Sequence, residues 1–331
     1  MKKIILSLLV LTITFSLFAM GAEETNDGSI RIGVSKLMSH AALDAAEKGM
    51  QDYLDSTGLD ITYDFQNANG DISSAGQIAQ KFKDDGADIV VGVATPTAQA
   101  LANVFMDTPV VFTAITDPVD AGLMSNVNGD EGSNIAGVSD LSPVEEQIKL
   151  FMDITGAKTI GNVYASGEAN GVVLMNLAKE AVEKNGGTFV EAAVANTSEV
   201  MMATQSIIDR VDAVYIATDN TVIAALASVA EVCKDSGKPL FSADPSGVEG
   251  LDVLISWGFD YYSIGTETGK VIEKILSGQE PGKIGTVYLT DPSDFELWFN
   301  LDNAKDLGIE IADEYLDMAA VIIENGQKIE K

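Results

Sequence analysis

One feature constrains this chain more than any other. A short β-branched run, a polar turn and a longer helical stretch recur in order, and then the series starts again. The first series predicts strands at Ile30 to Val34, Ile61 to Phe65, Ile89 to Val93 and Val110 to Phe112, with helices at Ala41 to Leu54, Ser73 to Lys83 and Thr97 to Phe105. The second predicts strands at Thr159 to Tyr164, Thr188 to Ala193, Ala213 to Ala217, Leu240 to Ser242 and Val253 to Trp257. Its helices are Val144 to Ile154, Ala169 to Glu183, Met201 to Ile208 and Thr221 to Lys234. Parallel strands need crossover helices and bury both faces, which is what this alternation supplies.

The two series also match in detail. Asp88 opens an apolar run that ends in Ala94-Thr95-Pro96-Thr97, and Asp212, 124 residues later, opens one ending in Thr218-Asp219-Asn220-Thr221. Phe112-Thr113-Ala114 pairs likewise with Phe241-Ser242-Ala243, and Gly58 and Gly186 each stop a helix. Two pseudo-symmetric α/β lobes follow, with one large doubly wound sheet as the alternative. Beyond Trp257 come a helix from Asp260 to Leu276, a turn at Gly278 to Gly282, a strand from Phe295 to Phe299 and a helix from Leu301 to Leu307. If these return to the first lobe and cross again, several connections form a hinge. The polar tail after Asn325 reads as linker-like.

Composition sets the address. The apolar run Ile4 to Phe18 follows Lys2-Lys3 and precedes small residues. It is shorter than the roughly 20 residues of a membrane span and has the build of a secretory signal. Residues 1–21 are read as that signal, leaving 331 − 21 = 310 residues. The formal charge of 20 − 50 = −30 becomes −32 once the two leading lysines go. Such a chain has no basic face for phosphates, so nucleic-acid partners are excluded. A soluble, monomeric protein of the periplasm is expected. Cys233, the sole cysteine, is read as a half-buried small hydrophobe; one thiol makes neither a disulfide framework nor a metal cluster.

In open parallel sheets the ligand crevice lies beyond the carboxyl ends of the strands. Polar residues gather there in Ser35 to Met38, Thr95 to Thr97, Ser166 to Asn170 and Thr218 to Thr221. Thr97 and Thr221 are placed as helix N-caps, and a helix N-terminus attracts an anion. Asp117, Asp140, Asp219 and Asp244 are acidic candidates, and Asp117 and Asp244, each before a proline, also suit turns. Helix starts that accept a carboxylate, faced by an aspartate that accepts an ammonium, describe a receptor for a zwitterion. The single histidine, His40, reads as a solvated or capping residue. No G-x-S-x-G elbow, P-loop or His/Cys metal spacing occurs, so catalysis and cofactors find little support.

The strings GVATPTAQALA (92–102), TAITDPVDAGL (113–123), GVSDLSPVEEQIKL (137–150), YIATDNTVIAALA (215–227), FSADPSGVEG (241–250), GFDYYSIGTETGKVIEKILSG (258–278) and FELWFNLDNAKDLGI (295–309) carry a resemblance. They are similar to ABC-transporter substrate-binding proteins, the family that includes tryptophan and phenylalanine receptors. The resemblance implies the α/β type I periplasmic-binding-protein architecture: two Rossmann-like lobes with parallel sheets, joined by a three-segment hinge and closing on a small ligand. It implies lobes formed by residues 22–139 plus 258–289 and by 140–257 plus 290–331. By position it implies cleft residues Thr95 and Thr97 on the first lobe, Ser139 and Asp140 at the first crossover, and Asp219, Asn220 and Asp244 on the second, with Met38 on the first-lobe wall. It also implies delivery to an ABC permease and its ATPase. Family members are often lipidated, and the cysteine of that signal is missing here.

For the ligand, Phe112, Tyr164, Trp257 and Phe259 fall near strand ends and would suit an aromatic amino acid, L-tryptophan or L-phenylalanine. A sugar or nucleoside receptor is the alternative within this fold, because Asp219, Asn220 and Asp244 also suit hydroxyls. A secreted hydrolase using carboxylates is the distant one.

Overall fold

The computed structural model describes residues 29–331, so the expected signal segment lies outside the described residues. The chain begins with β1 (Ile30–Lys36), α1 (Ala41–Ser56), β2 (Ile61–Asn67), α2 (Ile72–Asp84), β3 (Ile89–Val93), α3 (Thr95–Val104), β4 (Val110–Ile115) and β5 (Ile135–Ser139). It continues with α4 (Val144–Thr155), β6 (Thr159–Ala165), α5 (Ala169–Lys184), β7 (Thr188–Val194), α6 (Val200–Ile208), β8 (Ala213–Ile216), α7 (Asn220–Ile223), α8 (Leu226–Asp235), β9 (Leu240–Ser242) and β10 (Ile255–Phe259). The last part holds α9 (Tyr261–Leu276), α10 (Pro281–Ile284), β11 (Thr286–Tyr288), β12 (Phe295–Asn300), α11 (Leu301–Leu307), α12 (Asp313–Leu316), β13 (Val321–Glu324) and β14 (Gln327–Glu330).

Among the described residues the strands form two sheets, β11-β5-β4-β3-β1-β2 and β14-β13-β12-β10-β9-β8-β6-β7. All pairs in the first are parallel. In the second, the run β7-β6-β8-β9-β10 is parallel and repeats β2-β1-β3-β4-β5 strand for strand. The single-sheet alternative is thereby excluded.

The repeated aspartates explain part of this likeness. Asp88, just before β3, accepts the backbone N–H of Arg31 in β1 at 2.8 Å. Asp212, just before β8, accepts those of Lys158 and Thr159 at the start of β6 at 2.9 and 2.8 Å. Each carboxylate ties the bases of two neighbouring strands, and a backbone donor lowers the pKa of Asp212.

The chain passes between the sheets after β5, after β10 and after β11, which is the three-segment hinge. Phe259 at the end of β10 and Phe295 at the start of β12 stack there with ring centroids 4.2 Å apart. On the first lobe, α1 and α9 cross backbone to backbone. A Cβ on Gly49 would lie 2.2 Å from the Tyr262 carbonyl oxygen, and one on Gly265 2.0 Å from that of Ala46. Apolar clusters cover both faces of each sheet, with Ile32, Val91 and Ile264 on one side of the first and Phe82 and Val90 on the other.

Several elements depart from the sequence expectation. The strand β5 contains Gly137, a residue that disfavours strands, yet a Cβ there would sit 2.1 Å from the Phe112 carbonyl oxygen, so only glycine lets β5 approach β4. The helix expected from Thr221 to Lys234 divides at Ala224 and Ala225 into α7 and α8. The tail after Asn325 is no linker: β13 and β14 pair as a hairpin around Asn325-Gly326, both at positive φ. Cys233 is fully buried rather than half-buried. No helix among the described residues is long and apolar enough to cross a membrane.

Candidate functional site

The carboxyl ends of the parallel strands deliver residues from both lobes to one cavity. Thr116 follows β4, Asp140 follows β5, Thr218 follows β8 and Asp244 follows β9; Asn220 opens α7, Asn170 lies in the first turn of α5, and Tyr261 opens α9. His40, the residue before α1, closes the first-lobe side, and Leu43, Ala114 and Ile223 supply apolar wall. The cavity is tight, with a volume of about 10 Å³ open to a water molecule. It is narrow enough that, with the lobes in this position, little more than a water molecule passes through it.

The charge pattern is one-sided. Among the described residues, the cavity wall carries the carboxyls Asp140 and Asp244 and no lysine or arginine. Asp140 accepts the Tyr261 hydroxyl at 2.8 Å and the Thr116 hydroxyl at 3.4 Å. Burial pushes its pKa up to about 6, with the Tyr261 hydroxyl pulling the other way and the charge of Asp244 adding to the rise. Asp244 accepts the Ser246 N–H at 2.8 Å, and burial raises its pKa too. Two buried carboxyls facing one space favour a cation between them.

Three more polar atoms await partners. His40 Nδ1, Asn170 Oδ1 and Thr218 Oγ1 are buried and unpaired, and all three residues line the cavity. Buried polar groups are rarely left so, because each costs about 1–3 kcal/mol. Across the cleft, His40 Nε2 lies 3.3 Å from Asn220 Oδ1. The helix α1, which begins right after His40, has no side-chain cap, so its first amides lack a side-chain partner.

Of the residues expected from sequence, Asp140, Asn220 and Asp244 line this cavity. Asp219 lies just behind its wall: it caps α7 through the Val222 N–H at 3.1 Å and accepts the Ala165 N–H at 2.6 Å. Burial, then the neighbouring Glu168, raises Asp219 to about 7. Thr97 and Thr221 are not N-caps, because their helices start earlier, at Thr95 and Asn220. The Thr97 hydroxyl donates to the Val93 carbonyl at 2.8 Å, and that of Thr221 to Glu168 at 2.6 Å. Thr95 opens α3, Ser139 donates to the Thr116 carbonyl at 3.0 Å within the first crossover, and Met38 packs in the first-lobe core.

The aromatic expectation is corrected. Phe112, Tyr164, Trp257 and Phe259 all lie outside the cavity wall, and Phe112 is completely buried. His40 does hold the N-cap position of α1 and is half-buried, but its side chain makes no cap hydrogen bond and lines the cavity instead. The crevice turn Ser166 to Asn170 was placed from sequence without a role for its members; within it Glu168 is a buried acid that accepts from Asn220 and Thr221, and Asn170 lines the cavity. Sequence reasoning did not single out Thr116 and Tyr261.

Two lobes of parallel sheet, three crossovers and a polar cavity shared between them define a hinged ligand-binding protein. Residues 31–323 match the family of ABC transporter substrate binding proteins, and this chain belongs to it. A tyrosine-binding protein of Clostridioides difficile is 31% identical over 284 residues, covering 84% of this chain and 81% of the relative. A solved ABC domain from Streptococcus pneumonia in complex with L-Trp is 33% identical with a TM-score of 0.84, covering 89% of this chain and 100% of that one. The ligand-free, open structure of a substrate binding protein with adhesive properties from Clostridium difficile is also 33% identical, covering 86% of this chain and 96% of that one, but its TM-score is 0.65. At equal identity, the chain as a whole superposes better on the L-Trp complex than on the open structure.

Proposed function

We propose that this chain captures an aromatic amino acid in the periplasm and delivers it to an ABC permease driven by its ATPase. The observation that carries this reading is the pair of buried carboxyls, Asp140 and Asp244, in a cavity with no lysine or arginine on its wall among the described residues. A ligand ammonium supplies the missing positive charge. Its carboxylate finds the uncapped amides at the start of α1 and the unpaired Thr218 hydroxyl of the opposite lobe. Leu43, Ala114, Ile223 and the ring of Tyr261 give the apolar surface for a side chain. Relatives that bind tyrosine and L-Trp support the aromatic class.

Binding proceeds by hinge closure. With the lobes as they stand the cavity has room for about one water molecule, so the hinge opens to load and closes less far around a ligand, removing its water. Closure removes water from the carboxyls and strengthens their attraction for the ammonium.

The test is calorimetry on protein unfolded and refolded to remove carried-over ligand, titrated with each amino acid, with glucose and with adenosine. L-tryptophan, L-tyrosine or L-phenylalanine is expected to bind with a Kd of about 1 μM or tighter, equivalent to about −8 kcal/mol. Binding of glucose or adenosine without any amino acid would replace this reading by the sugar or nucleoside alternative.

A further inference from the structure

Asn220 is held between two partners of different kinds. Its Nδ2 donates to Glu168 Oε2 at 2.6 Å, and its Oδ1 faces His40 Nε2 at 3.3 Å across the cleft. Glu168 is itself pinned, because its Oε1 accepts both the backbone N–H of Thr221 at 3.0 Å and the Thr221 hydroxyl at 2.6 Å. A carboxylate only accepts, so the amide must turn its NH₂ end to Glu168 and its carbonyl to His40. A carbonyl also only accepts, so the ring nitrogen facing it, Nε2, carries the hydrogen. In a neutral imidazole the other nitrogen is then a bare acceptor. That atom, Nδ1, is buried without a partner in a residue that shares the cavity wall with Asp140 and Asp244.

We propose that Glu168, acting through Asn220, fixes His40 in the Nε2–H form, so that Nδ1 becomes the third acceptor, beside Asp140 and Asp244, for the ligand ammonium. The inference rests on the amino-acid reading above and sharpens its ligand class. A primary ammonium carries three N–H donors and no acceptor, and three residues with acceptors line the one cavity. An α-hydroxy acid brings one donor, and an N-methylated amino acid brings two. Glu168 and Asn220 are positioning residues here, whereas His40 touches the ligand.

The sequence contains a single histidine, so isotope-labelled ring nitrogens report on His40 without ambiguity. In protein saturated with L-tryptophan, nitrogen NMR is expected to show Nε2 protonated and Nδ1 unprotonated, with the Nδ1 signal displaced on binding by an accepted hydrogen bond. Glu168→Gln lets the Asn220 amide take either orientation, so part of the population changes to the Nδ1–H form. In binding, His40→Gln keeps an amide that reaches Asn220 but has nothing at the Nδ1 position. It is expected to weaken L-tryptophan about tenfold. Indolepropionate, which lacks the ammonium, should be unaffected by that substitution. His40→Asn, which restores an oxygen near Nδ1, should recover part of the loss.

An Nδ1–H form or an imidazolium in the tryptophan complex overturns the proposal, as does equal weakening of both ligands by His40→Gln. If L-tryptophan, L-tyrosine and L-phenylalanine all fail to bind the unaltered protein, the amino-acid reading falls and takes this inference with it. Binding of any of them without a response at Nδ1 overturns this inference alone.

Discussion

At matched positions of the repeat, Asp88 and Asp212 act alike, whereas Ala94 and Thr218 do not. Both aspartates brace the bases of their sheets by accepting backbone N–H groups. At the opposite ends of the strands the lobes diverge. In the first lobe, Ala94 and Ala114 hold φ of 79° and 56°, a left-handed region that costs a residue with a Cβ roughly 1–2 kcal/mol. Their counterparts Thr218 and Ala243 do not adopt it. The first lobe therefore offers the cleft bent backbone and small side chains, together with His40 and Thr116, while the second offers Asn170, Thr218, Asn220 and Asp244. Strand bases are alike because sheet pairing demands it. Strand tops end at the ligand and are free to differ.

The largest test of this division lies in the first-lobe frame. Gly265→Val forces a side chain into the Ala46 carbonyl, and chemical denaturation is expected to show a loss of about 3 kcal/mol or more. Next comes the second-lobe chemistry. Asp244→Asn is expected to weaken an amino-acid ligand about 100-fold by calorimetry while leaving the unliganded protein equally or more stable, because a buried carboxyl without a cation is removed. Thr116→Val, on the first lobe, should cost less than about tenfold. Comparable losses at the two positions would erase the distinction between the lobes.

The pH response is smaller and its sign is fixed by Asp140. Its carboxyl stands at about 6 in the folded protein against an ordinary 3.8. The folded state thus holds the proton more tightly, and the associated stability is present at low pH and lost as pH rises through about 6. Melting of the unliganded protein should move upward as pH falls from neutral to about 5. Ammonium binding needs the charged carboxylate, so affinity should fall about tenfold per unit below that pKa. Asp140→Asn is expected to shrink the melting trend without abolishing it, because the raised Asp219 and Asp244 carboxyls contribute in the same direction. The smallest effect compares matched alanines. Ala114→Gly relieves left-handed strain and should leave stability within about 0.5 kcal/mol of the parent, while Ala243→Gly should lose about 1 kcal/mol, both read by urea unfolding.

The repeat made the strand order of both lobes legible, because apolar periodicity and the offset between Asp88 and Asp212 are local signals. The site was half legible. Asp140, Asn220 and Asp244 could be placed by counting one to four residues past a strand. Phe112 and Phe259 misled because they lie inside β4 and β10, whose side chains point to the faces of the sheet and not beyond its edge of carboxyl ends. Glu168 was placed only as a member of a polar turn and its role stayed hidden, since its partners lie 52 and 53 residues away and nothing local marks an acid as buried. His40 was misjudged for the same reason: its partner is 180 residues distant.

The crossing at Gly49 and Gly265 leaves no side chain between the helix that follows His40 and the helix that begins at Tyr261. Rotamer changes usually absorb small displacements where helices slide on one another. At the crossing itself none is available, and the Tyr53 ring fills the next gap, against Gly269. A turn at the second crossover is therefore handed directly from one helix to the other, and two residues separated by more than 200 positions in sequence work as the two jaws of one caliper.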